Sequence, residues 1–175
     1  MSVMSINAHR THPAAVAAFL VAAGGAATIL GAYYFQYVLH YAPCELCLDE
    51  RIPYYVAIPF ATVVAIAALL RAPRPLLVTG LALLAIVMLI GAALGAYHSG
   101  VEWKLWPGPI HCSGSMAGFG SAGSLLDRMN EIKIVPCDAA AWRLFGISLA
   151  GYNVLISLAL AAIAVWGIAA SKAKA

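Results

Sequence analysis

The stretch PCELCLDER, residues 43–51, holds Cys44 and Cys47 three positions apart. Two thiols at that spacing can form and exchange a disulfide, and the same spacing can grip a metal. The chain has two further cysteines, Cys112 and Cys137. Four cysteines allow three complete pairings, and the spacing alone does not choose among them. Proximity favours Cys44 with Cys47, which leaves Cys112 with Cys137. A bond between the latter two would close a loop of about 25 residues and, in the chain-entropy model, restrict the unfolded chain by roughly 3.5 kcal/mol. Loop bracing is therefore one reading of that pair. Zinc is a second, since four sulfurs could supply a tetrahedral set and His111 is close by. Neither Cys112 nor Cys137 belongs to a second CxxC, however, and no resident metal is expected. Redox exchange is the third reading, and it requires an attacking thiolate, an accessible disulfide and a terminal acceptor. Arg51 follows Cys47 by four residues and shares its face if a helix begins near the motif. Its guanidinium could favour a thiolate and hydrogen-bond a carbonyl oxygen, or it could simply snorkel to lipid headgroups. Glu45, Asp49 and Glu50 oppose thiolate formation, so the sign of the local field stays open.

The surroundings of the motif are those of a membrane protein. Hydrophobic residues make up 63% of the 175 residues and charged ones 10%, and the mean hydropathy is +0.90, far from the balance of a soluble domain. Four uncharged runs, Ala14–Tyr41, Ile52–Leu70, Leu76–Tyr97 and Leu144–Ala170, each reach the roughly 17–25 residues that cross a bilayer as helix. One integral membrane domain is expected over residues 1–175, with spans near 14–40, 52–70, 76–97 and 144–170 and loops near 41–51 and 98–143. The first run is too long for a cleavable signal core of about 7–15 residues and reads as an uncleaved anchor.

Basic residues orient the chain. Arg10 precedes the first span, Arg71 and Arg74 crowd the short turn RAPRP, and Lys172 and Lys174 lie in the tail. Those segments, and with them both termini, are expected in the cytoplasm. The other two loops hold the same number of Lys and Arg spread over far more chain, together with all seven acidic residues. They are expected to face outward, and all four cysteines lie in them. In a bacterial periplasm such cysteines could keep disulfides.

The fold class that follows is all-α, a four-helix transmembrane bundle with small residues such as Ala18, Ala22, Ala26, Gly91 and Gly95 at the helix contacts. Pro53 suits a helix start and Pro59 a kink. In the second outward loop SLLDRMNEIKIV places Leu125, Leu126, Met129 and Ile132 on one helical face, which predicts a short interfacial helix. SGSMAGFGSAGS, just before it, predicts a flexible neighbour for Cys112. A CxxC at the mouth of an apolar span can meet both aqueous thiols and a lipid-dissolved cofactor.

The residues YFQYVLHYAPCELCLDER resemble the disulfide bond formation protein B family, DsbB. The likeness continues through YHSGVEWKLWPGPIHC before Cys112 and a PCD segment around Cys137. It implies a quinone-dependent protein-disulfide oxidoreductase of the bacterial inner membrane. Cys112, paired with Cys137, would take the attack of a reduced DsbA-like thioredoxin-fold oxidase in the periplasm; Cys137 would attack Cys44 and release Cys47. Cys47 would pass electrons to ubiquinone or menaquinone and so to the respiratory chain, with Arg51 and His98 at the quinone. Membrane lipid is the other partner implied, and no nucleic acid. Asp49 and the Gly-rich segment depart from the family pattern. Two alternatives stand beside this reading: a related enzyme dedicated to a narrower oxidase, and a non-catalytic membrane protein whose disulfides brace its loops.

Overall fold

The computed structural model describes residues 3–109, 133–134 and 136–172. Helix α1 (Val3–Tyr33) widens at its end into a π-helical turn, Tyr34–Val38. Strand β1 (Tyr41–Ala42) and the short helix α2 (Glu45–Asp49) lead into α3 (Ile52–Leu69). Helix α4 (Arg74–Glu102) follows, then β2 (Lys133–Ile134), β3 (Arg143–Leu144), β4 (Ile147–Ser148) and α5 (Leu149–Lys172). Four of these segments, Pro13–Val38, Glu45–Leu69, Arg74–Glu102 and Leu149–Ser171, are long and apolar enough to cross a membrane. The expected four-helix membrane bundle is therefore the observed architecture. The expected interfacial helix lies outside the described residues except at Lys133 and Ile134, which form strand β2 instead, and the Gly-rich segment and Cys112 lie outside them altogether.

Packing follows residue size. Ala17, Ala18 and Val21 of α1, Ala57, Ala61 and Val64 of α3, and Leu81, Leu84 and Met88 of α4 form one buried core with Leu160 and Ala164 of α5. Phe19, Leu30, Leu69, Ile86 and Trp166 remain exposed, as residues facing lipid should be. Helix α4 packs mainly on α5, and α1 on α3. Gly95 makes the first contact possible: a Cβ there would stand 3.0 Å from Asn153 Nδ2 and 3.1 Å from the Ala150 carbonyl oxygen. The space it leaves lets α5 carry polar groups inside the bundle. There the Tyr54 hydroxyl donates to Asn153 Oδ1 at 2.6 Å and lies 2.8 Å from Ser157 Oγ.

Two departures of helix ends from the uncharged runs shape the site. Helix α4 continues five residues past Tyr97, to Glu102, so His98 belongs to a helix and not to a loop. It stops where Lys104 takes a left-handed φ of 61°; the Lys104 and Leu105 N–H groups then donate back to Val101 and Gly100 oxygens at 3.0 and 2.9 Å, a Schellman closure. Arg71, also at φ 61°, closes α3 in the same way. Helix α5 begins only at Leu149, because Phe145 and Gly146, at φ 50° and 81°, turn the chain between β3 and β4, as a two-residue hairpin loop demands.

The two cysteine-bearing loops meet at one end of the bundle. β1 pairs in parallel with β2, Tyr41 against Lys133 and Ala42 against Ile134.

Candidate active site

Cys44 caps the N-terminus of α2, and its sulfur accepts the Cys47 N–H at 3.3 Å. One turn of helix thus brings the second thiol back over the first: the two sulfurs lie 2.7 Å apart and share a hydrogen bond, both unbridged. Cys44 is 1% exposed, while Cys47 is half-buried. The hydrogen bond shared with the Cys47 thiol holds the Cys44 thiol below its ordinary pKa, helped by the Cys47 backbone N–H and opposed by burial and by the Glu50 carboxylate. At Cys44 these hydrogen bonds outweigh burial and the Glu50 carboxylate.

His98 reaches this pair from α4. Its Nε2 lies 3.8 Å from Cys44 Sγ, and its Nδ1 lies 2.6 Å from Glu50 Oε1. A carboxylate only accepts, so Nδ1 carries a hydrogen, and in the neutral ring Nε2 then offers its lone pair to the thiols. Glu102, one turn further along α4, brings Oε1 to 4.0 Å from the same Nε2, with its side chain 4% exposed. Its other oxygen, Oε2, has no hydrogen-bond partner among the described residues.

Arg51 stands at the C-terminal side of the motif and is buried to 9% exposure. It donates from Nη1 to Gln36 Oε1 at 2.7 Å and sits over the Tyr33 ring, 5.5 Å from its centre. The π-helical turn of α1 supplies Gln36 and thereby fixes the guanidinium. Arg51, Gln36, His98, Glu102, Cys44 and Cys47 all line one cavity of about 550 Å³. Its remaining wall is largely apolar, with Ile29, Ala32, Phe35 and Ile156. That is the size and balance of a site for an organic cofactor.

Cys137 approaches from the other side. It is buried with Cys44, Leu46 and Val101 in a small cluster against which Cys47 packs, and it is disulfide-bonded. Lys104, at the end of α4, pairs with the adjacent Asp138 and holds that carboxyl below its ordinary pKa. Five of the six residues singled out from the sequence, Cys44, Cys47, Arg51, His98 and Cys137, thus gather at one end of the bundle. Glu50, read earlier only as an opponent of thiolate, orients His98. Gln36 and Glu102 were not singled out; Glu102 falls at i+4 from His98, a signal visible only once α4 is continued past residue 97.

The disulfide bond formation protein DsbB family model matches residues 14–167. An uncharacterized protein of Rickettsia prowazekii is 32% identical over 133 residues, covering 74% of this chain and 73% of its own. A protein of Polaromonas sp. named disulfide bond formation protein B is 26% identical over 136 residues, covering 73% of this chain and 74% of its own. No solved structure matches the chain.

Proposed function

The chain belongs to the DsbB family of disulfide bond formation proteins, and from that premise we propose that it is a thiol:quinone oxidoreductase that reoxidises a periplasmic DsbA-like dithiol oxidase. Disulfide oxidoreductase chemistry in general comes with the family. The reading places the protein in a bacterial inner membrane, with both termini cytoplasmic and the cysteine loops periplasmic. One observation carries it: Cys44 shares a buried cluster with Cys137 and, together with Cys47, lines the cavity that holds Arg51 and His98.

Sulfur exchange proceeds in four balanced steps. A thiolate of the reduced partner attacks Cys112 of a Cys112–Cys137 disulfide, and Cys137 leaves as thiolate. Cys137 attacks Cys44 of an oxidised Cys44–Cys47 pair, and Cys47 leaves. The partner's second thiol displaces Cys112 and carries off the new disulfide. Cys112 then attacks Cys137, restoring their bond and leaving Cys44 and Cys47 reduced. A bound quinone supplies the acceptor for the two electrons and two protons that this dithiol gives up. The cavity fits such a group, since a flat ring needs apolar walls and a few donors for its oxygens. Arg51, fixed by Gln36, presents N–H donors to a ring oxygen. His98 Nε2 takes the Cys44 proton as Cys44 closes on Cys47, and Glu50 holds the imidazole in the required tautomer.

Mixing the purified protein with a reduced DsbA-like oxidase and ubiquinone or menaquinone tests the reading through quinone absorbance. Stoichiometric quinone reduction is expected, and its loss in Cys44→Ser/Cys47→Ser. Absence of turnover with either quinone would overturn it.

A further inference from the structure

In its reduced state the site has the makings of a metal centre. Cys44 Sγ, Cys47 Sγ and His98 Nε2 all lie within 4.8 Å of one another. A tetrahedral zinc ion, with bonds of about 2.3 Å to sulfur and 2.0 Å to nitrogen, sets its ligand atoms about 3.5–3.8 Å apart. Cys44 Sγ and His98 Nε2 already stand 3.8 Å apart. The two sulfurs, at 2.7 Å, need to open by about 1 Å as the cation replaces their protons.

Two features beyond the thiols point to a cation. Metal-binding histidines almost always donate the other ring N–H to a carboxylate, which fixes the tautomer and raises the ligand's basicity; Glu50 does this for His98 at 2.6 Å. Glu102 stands outside this triad and would swing in as the fourth ligand. Glu102 has a side chain 4% exposed, one oxygen 4.0 Å from His98 Nε2 and the other without a partner among the described residues. A buried carboxylate oxygen left unsatisfied is costly, and a cation shared with His98 would satisfy it.

We propose that the reduced Cys44–Cys47 pair, His98 and Glu102 form a binding site for a thiophilic divalent cation of the zinc class. Binding exchanges two thiol protons for one cation and transfers no electrons. It holds both sulfurs as thiolates on one ion, so they cannot close on each other while the ion is bound. The site excludes the oxidised pair, whose sulfurs are already bonded, so occupancy reports the redox state. Binding itself does not depend on the quinone reading; only its consequence, arrest of dithiol oxidation, rests on that reading. The low weight of zinc in the sequence came from asking Cys112 and Cys137 to complete the set, whereas the fold offers His98 and Glu102 for those places.

The test uses the full chain in detergent with Cys112→Ser and Cys137→Ser, reduced, desalted without oxygen and titrated with Cd2+. One cadmium per chain, a thiolate-to-cadmium charge-transfer band and release of two protons are expected, and none of these after the Cys44–Cys47 pair is oxidised. Glu50→Gln should weaken the affinity by about tenfold or more, the usual cost of losing such a support, and His98→Ala by at least as much. Equal affinity in all three chains would reduce the site to a bare dithiol and overturn the proposal, as would cadmium binding that survives Cys44→Ser/Cys47→Ser. If the double-serine background does not fold, the fully reduced wild-type chain compared with Glu50→Gln reads the same difference. A chain that binds cadmium as stated yet fails to reduce quinone keeps this proposal and removes the quinone reading.

Discussion

Glu50 Oε1 and His98 Nδ1 meet at 2.6 Å across 48 residues of chain, joining the end of α2 to α4 beneath the thiol pair. If His98 is the base for Cys44, His98→Ala should slow closure of the Cys44–Cys47 disulfide by about a hundredfold, the lower end of what general base catalysis contributes. Glu50→Gln should slow it less, since an amide still hydrogen-bonds the ring but no longer enforces the tautomer. Single-turnover quinone reduction measures both, and equal rates in wild type and His98→Ala would remove the assignment.

The Cys44 thiol is held below its ordinary value of 9.0 mainly by the hydrogen bond with Cys47. Removing that partner in Cys47→Ala leaves burial and Glu50 acting upward, opposed only by the backbone N–H groups that still act downward. The Cys44 midpoint should therefore rise, and its thiolate fraction at neutral pH should fall. Ultraviolet thiolate absorbance against pH, with Cys112 and Cys137 replaced by serine, reads the shift; an unchanged or lower midpoint would contradict the stated cause.

Arg51 has its guanidinium committed to Gln36 on one side and to the Tyr33 ring on the other. A hydrogen bond from a charged donor is worth about 1.5–3 kcal/mol, so Arg51→Ala should raise the KM for quinone by about 10- to 100-fold. The first exchange with the DsbA-like partner should stay near its wild-type rate. Steady-state kinetics over a quinone series separates the two effects.

Gly95→Val should destabilise the bundle, because the added atoms meet the Ala150 carbonyl and Val154 of α5. Overpacking of this kind costs about 1–3 kcal/mol. Thermal unfolding in detergent should show the loss, whereas Gly31→Ala, with nothing within 4 Å of its added carbon, should leave the melting temperature nearly unchanged.

The spans were legible because charge is absent from them and a central charge is costly in lipid. The gathering of Cys44, Cys47 and Arg51 was legible because a short spacing survives any tertiary arrangement. What stayed hidden depends on where helices stop. Lys104 and Arg71 hold left-handed conformations that glycine usually marks, so nothing in their chemistry announces an end. With α4 taken to finish at residue 97, Glu102 looked like a loop acid and its place beside His98 could not be seen. Leu144, Phe145 and Ile147 read as the start of a span because they are apolar, yet Gly146 at φ 81° folds them into a hairpin. The partnership of Glu50 with His98 joins distant segments, and no local pattern encodes it.

The ladder between β1 and β2 has a kinetic consequence. It ends two residues before Cys44 and three before Cys137, and three extended residues reach about 10 Å. Neither sulfur can wander far from the other, so each samples the other at a fixed, high effective concentration. On the proposed reading, passage of a disulfide between the loops should therefore be first order and indifferent to dilution, whereas the encounters with the soluble oxidase and with quinone both slow as the mixture is thinned.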